Sequence, residues 1–158
     1  MNKKGFTLVE VLVVIGIIAI ITTIISIPLF SVRDKARDAK RKNDLTQIGK
    51  FFSINCFLPD AGEGTYDLTT VIAEVKSKNP QYTSYLPDIK DPKSGTDTQS
   101  NYLYIYSADK KCALYANLEN KDEKTTLNIS SPTPGGGTGV FSGSPGINGT
   151  NIYFQVSN

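Results

Sequence analysis

Residues 3–30 read KKGFTLVEVLVVIGIIAIITTIISIPLF, a run in which a single glutamate, Glu10, stands at the head of an otherwise uncharged apolar stretch. No residue from Val11 to Val32 carries a charge. About 20 apolar residues in a helix cross a hydrocarbon core of about 30 Å. The stretch therefore has the length of a single membrane span, and Glu10 needs an explanation. An acidic side chain inside a bilayer costs roughly 2.5–3.5 kcal/mol and usually has a partner and a task. A glutamate near the interface costs less and can reach water by snorkelling.

Three readings compete for this segment. A secretory signal peptide uses basic residues (Lys3, Lys4) and an apolar core, then a small-x-small cleavage site. The run ends instead in Ile27-Pro28-Leu29-Phe30, with no Ala-x-Ala. A plain anchor accounts for the apolar length and leaves Glu10 idle. Cleavage before the apolar run, between Gly5 and Phe6, keeps the hydrophobic helix on the mature chain and uses every residue. A proline removes a backbone donor and kinks a helix, so a bend is expected near Ile24 to Pro28.

Lys3-Lys4-Gly5-Phe6-Thr7-Leu8-Val9-Glu10 and the apolar run after it resemble the leader junction of type IV pilins and of the related pseudopilins of type II secretion. The resemblance implies a leader of residues 1–5, removed on the cytoplasmic side by prepilin peptidase between Gly5 and Phe6, and N-methylation of Phe6. It also implies that Glu10 meets the amino terminus of a neighbouring Phe6 as subunits join a filament. Such a pair gains from the low dielectric and loses much of that gain to desolvation, so it sets registry more than stability. The implied partners are copies of the chain, the peptidase, a pilus or secretion assembly platform and the membrane. The implied location is a single-pass protein of the cytoplasmic membrane with an extracytoplasmic carboxy-terminal head, passing into an extracellular or periplasmic filament.

Composition fits an exported protein of modest size. The chain has 158 residues, a hydrophobic fraction of 39% and a net charge of +2. That length suits one domain beyond the membrane segment. With no histidine, a Ser-His-Asp triad, a Cys-His pair and His-ligated metals are excluded, and a structural subunit is expected rather than an enzyme. Arg33, Lys35, Arg37, Lys40, Arg41 and Lys42 follow the span, against Lys3 and Lys4 before it. A bare positive-inside count would keep the larger domain in the cytoplasm, but the leader motif is the more specific signal. Asp34 and Asp38 dilute the excess, and Asp38 stands four residues before Lys42, the spacing of a helical ion pair. The run reads as a solvated helical stem. A basic track for DNA, as in a competence pilin, is the weaker reading, since nothing else marks a nucleic-acid surface.

The helix is expected to continue from residue 33 to about 57. Ala36, Ala39, Leu45, Ile48 and Phe52 recur at intervals of three and four, opposite Lys42, Asp44 and Lys50. Leu58-Pro59-Asp60-Ala61-Gly62 stops it. Residues 58–158 read as a mixed head: a short helix over 68–78, a hairpin over 102–118 (YLYIYSADKKCALYANL), a Gly/Ser/Thr/Pro-rich loop over 130–151 and a last strand over 152–156. The expected class is α+β, a long amino-terminal transmembrane helix packed on a small antiparallel sheet, and this order resembles that of pseudopilins.

Cys56 and Cys112 form a candidate disulfide between helix end and strand, with two buried free thiols as the alternative. Asp91 and Asp97 flank a polar loop where, by the pseudopilin resemblance, calcium is a candidate; an ordinary turn is the simpler reading. Asn128-Ile129-Ser130 and Asn148-Gly149-Thr150 match the glycosylation sequon but are expected to be idle. A membrane-anchored extracytoplasmic binding protein is the alternative function.

Overall fold

The computed structural model describes residues 5–157, and for residues 25–30 the backbone alone. In chain order the elements are α1 (Leu8–Ile54), β1 (Gly64–Asp67), α2 (Leu68–Lys78), a 3-10 turn (Pro80–Tyr82), β2 (Leu103–Tyr106), β3 (Cys112–Asn117), β4 (Gly139–Ser142) and β5 (Ile152–Ser157). The chain divides into two compact units, Met1–Asp34 and Lys35–Asn158.

In the first unit every side chain from Leu8 to Ile24 is exposed. Two polar residues are disarmed locally: the hydroxyls of Thr22 and Thr23 donate back to the carbonyls of Ile18 and Ile20, each at 2.7 Å. This back-bonding satisfies a hydroxyl without water, so the surface stays apolar. Among the described residues no helix is long and apolar enough to cross a membrane. α1 is assigned without a break through Pro28, whose side chain lies outside the described set.

The second unit is α+β. Its sheet is wholly antiparallel, in the order β1-β2-β3-β5-β4. From α1, Leu45, Ile48 and Phe52 are buried together with Leu68, Val71, Ile72 and Val75 of α2, and they pack with Tyr104, Leu114, Ala116 and Phe154 of the sheet. These sheet residues share a face because Tyr104 registers with Leu114, and Ala116 with Phe154. All six residues of β3 are buried, so the central strand is covered on both sides.

The second cover is the Gly-rich segment. Gln155 is fully buried on β5; its oxygen accepts from the Thr133 amide (3.0 Å) and its amide donates to the Gly137 carbonyl (2.8 Å). The 130–151 stretch is therefore not one loop. It contains β4, which pairs with β5, and Phe141 stacks on Tyr153 at 5.3 Å. Four residues between Gly139 and Ser142 are too few for a periodic pattern, and pairing rather than propensity makes the strand. The same holds for β1, a four-residue strand that no pattern in the sequence announces.

Asp67 ends β1 and caps α2. Its carboxylate accepts from the amides of Thr69, Ser100 and Asn101 and from the Ser100 hydroxyl, each at 2.9 Å. Burial pushes this carboxyl up, and the donors outweigh it, so the group titrates below the ordinary range.

Three expectations for the helical stem need correction. Ala36 and Ala39 are exposed, because the apolar stripe begins only at Leu45. Asp44, placed by the sequence on the outer face, is buried, as are Asp38 and Arg41. The stem is thus not simply solvated. Nor does Asp38 pair with Lys42: Arg41 takes Asp38, and Lys42 pairs with Glu123.

Cys56 and Cys112 are disulfide-bonded, joining the segment just past α1 to the first residue of β3 across 56 positions, which disposes of the free-thiol alternative. In the chain-entropy view a loop of this size contributes about 4 kcal/mol.

α1 approaches β5 closely at Gly49, where a Cβ would lie 2.4 Å from Val156 Cγ1. Gly49→Leu is expected to cost about 1–3 kcal/mol by overpacking, read as a lower melting temperature by circular dichroism. Gly16→Ala, with nothing within 4 Å of the new methyl group, should not lower it.

Candidate functional site

The sequence points to two places for function, the amino-terminal motif and the charged stretch after the apolar run. At the first, α1 starts at Leu8 because Thr7 caps it. The Thr7 hydroxyl accepts from the Glu10 amide (3.3 Å), and the Glu10 carboxylate accepts from the Thr7 amide (2.8 Å) and hydroxyl (2.9 Å). This reciprocal arrangement is a capping box, and it places an anion where the helix dipole favours one. Thr-x-x-Glu spacing is itself the sequence signal for it; reading Glu10 only as an intermolecular partner passes over it.

The box also fixes what lies outside the helix. Gly5, Phe6 and Thr7 are in no helix or strand, Phe6 is 88% exposed, and nothing lies within 4 Å of a Cβ built on Gly5. The Gly5–Phe6 bond is therefore presented on an open, non-helical segment. Lys3 and Lys4 lie outside the described residues.

The second place, within the Lys35–Asn158 unit, is built around Arg41, a fully buried guanidinium. It meets Asp91 through two nitrogens, Nε to Oδ2 at 2.6 Å and Nη2 to Oδ1 at 3.0 Å. Its Nη1 reaches Asp38 at 2.7 Å and Glu119 at 2.8 Å. Glu119 is also gripped by Arg37, at 2.7 and 2.8 Å, and by Lys93 at 3.0 Å. Asp38 turns outward from α1 to accept the amides of Glu119 and Asn120. Beside the cluster, Asp44 accepts from Tyr102 Oη (3.0 Å) and Lys40 (2.8 Å).

The charge states follow from these contacts. Burial pushes Glu119 up, but its three cationic partners outweigh that and hold it at about 2. Burial likewise raises Asp91, and Arg41 with the amides of Ser94 and Lys93 brings it well below the ordinary carboxylate range. Burial and the neighbouring Asp44 carboxylate push the Tyr102 phenol far up. Each charge in the cluster is compensated, so the arrangement joins α1 to two distant segments and offers no free acid or base.

Asp91 and Asp97 are engaged by separate cations, Asp91 by Arg41 and Asp97 by Lys90. Calcium takes six to eight oxygens. Asp91 is already saturated by Arg41 and by the Lys93 and Ser94 amides, so this loop does not fit the ion. Among the described residues no group of three or more acidic or thiol side chains could hold a metal. Asn148 is buried and donates to the Asn117 carbonyl at 2.8 Å, which closes that sequon to a glycan.

Residues 1–26 match the family model of the prokaryotic N-terminal methylation motif, the signature of type IV pilins and pseudopilins. No curated protein and no solved structure matches the chain. The motif supports a pilin-like or pseudopilin precursor, a class of membrane-anchored structural proteins.

Arg41→Met should cost about 3–5 kcal/mol, because it leaves buried carboxylates without their cation; denaturant unfolding measures it. The pH dependence has a definite sign. Glu119 and Asp91 titrate lower in the folded chain than in the unfolded one, where the ordinary values are about 4.3 and 3.9. Their contribution is complete above about pH 5 and is lost as pH falls toward about 2. Melting at pH 7 and pH 3 should show the drop, and Arg41→Met should flatten it.

Proposed function

We propose that this chain is the precursor of a filament subunit, of a type IV pilus or a type II secretion-like pseudopilus, with a structural role. The observation that carries the reading is the contrast between the two units. Every side chain from Leu8 to Ile24 is exposed, whereas the second unit closes its own core. An apolar surface of that extent needs a cover from outside the chain, first lipid and then other copies.

In this reading prepilin peptidase cuts between Gly5 and Phe6, the Phe6 amine is methylated, and residues 6–32 remain as the membrane and filament segment, helical from Leu8 and bent at Pro28. From residue 33 the same helix continues to Ile54, three residues short of the end expected from the sequence, and the chain beyond it makes the head. Release of the leader creates a new amine on Phe6 next to the Thr7–Glu10 box. In the filament a neighbour's amine takes the place of the Thr7 donors on Glu10 and sets the register, while an assembly platform lifts subunits from the bilayer.

The orientation, head outside the cytoplasm, draws support from the ion pairs. Of the six cations after the span, Arg37, Lys40, Arg41 and Lys42 are paired with carboxylates of the second unit. They neutralise that unit's own acids, so the net positive charge flanking the span is smaller than a bare count of Lys and Arg gives.

Co-expression with a prepilin peptidase should yield a chain that begins at a methylated Phe6, as read by intact mass and amino-terminal sequencing. An ordinary anchored binding protein would keep Met1. Glu10→Ala should still be processed but fail to polymerise, and normal filaments from that variant would contradict the proposed pair.

A further inference from the structure

Where α1 ends, the second unit carries an open cleft of about 470 Å³ that neither the filament reading nor the Arg41 cluster uses. Its walls are aromatic: Phe51, Phe57, Tyr82 and Tyr85. The rings of Phe51 and Tyr82 meet edge to face at 5.2 Å, and Tyr85 is 72% exposed. Two aliphatic side chains, Ile54 and Val75, and two amides, of Asn55 and Asn79, complete the lining, and no charged side chain enters it. Lys78, nearby over the Phe57 ring, is paired with Asp60 and Glu74.

The polar groups decide the ligand class. The side-chain amides of Asn55 and Asn79 and the hydroxyls of Tyr82 and Tyr85 make no hydrogen bond among the described residues. Each is both donor and acceptor. A hydrocarbon ligand would leave all of them unmet, at about 1–3 kcal/mol for each group buried. An extended proline-rich peptide supplies carbonyl acceptors and would leave the amide oxygens unmatched. A polyol offers donor and acceptor on every hydroxyl, and the C–H face of a sugar ring suits an aromatic wall. The uncharged lining selects a neutral ligand, and the cleft lies within the size range of small-molecule sites.

The cleft is also held in place. Asn55 precedes the bridged Cys56. Asn79 caps α2, donating its backbone N–H to Val75 at 2.8 Å and accepting from Tyr82 at 3.0 Å. Fixed backbones lower the ordering cost of binding. We propose that this cleft binds a neutral saccharide, whose ring lies on Tyr82 and Tyr85 and whose adjacent hydroxyls pair with Asn55 and Asn79.

The test is a printed array of neutral hexose and N-acetylhexosamine oligomers probed with the full chain in a non-glycosidic detergent. The best binder is then titrated by saturation-transfer NMR at about 1 mM, the range of weak sites. Transfer to ring C–H protons is expected, with affinity reduced about tenfold or more in Tyr85→Ala and measurably in Asn55→Ala. Both residues are exposed, so the melting temperature of each variant should match that of the parent. Absence of binding across the array overturns the proposal, as does binding that survives Tyr85→Ala. Preference for charged glycans or for a proline-rich peptide overturns it equally.

Discussion

The guanidinium of Arg41 is the fixed point of the second unit. It lies in the interior with Asp38, Asp91 and Glu119 around it, and through them a turn of α1 is bound to the loop before β2 and to the segment after β3. A buried ion of this kind is tolerated only when its hydrogen bonds are complete. Here every guanidinium nitrogen has a carboxylate partner, and the carboxylates in turn collect backbone amides, Lys93 and Ser94 on Asp91, Glu119 and Asn120 on Asp38. The cluster specifies which segments meet more than it adds net stability, and the apolar core from Leu45 to Phe52 lies beyond it on the same helix.

What was legible in the sequence was local. Val71, Ile72 and Val75 marked α2 by their spacing, the alternation from Tyr102 to Tyr106 marked β2, and the turn at Asp109-Lys110-Lys111 marked the return to β3. The amino-terminal motif was legible because its residues are neighbours and its chemistry depends on their order. What was hidden depended on distance along the chain. Arg41 sits in a run that composition assigns to solvent, and distant carboxylates, Asp91 50 residues on and Glu119 beyond it, turn it inward. Ala36 and Ala39 continue the helical period by spacing alone, yet at that level of α1 the unit is built from charges. The aromatic cleft needs the end of α1 beside residues 79–85, a juxtaposition that no single window of sequence contains.

The two units solve the same problem differently. Between Leu8 and Ile24 the helix buries nothing within the chain and silences its own hydroxyls. In the second unit even the outer face of the sheet is roofed, by a segment so rich in glycine that it reads as an irregular loop. Gln155 explains how such a segment is ordered: one buried amide holds the carbonyl of Gly137 and the N–H of Thr133.

The border of that sheet has a further meaning. Beyond β4, Thr126 and Leu127 donate their amides to the Val140 carbonyl, and the Thr126 hydroxyl takes the Val140 amide, while the opposite margin, β1, is only four residues long. Exposed strand margins invite other chains to zip on. With one margin sealed and the other cut short, copies of this unit can be crowded together without seeding amyloid-like stacks, a safeguard worth most to a protein whose copies are kept close.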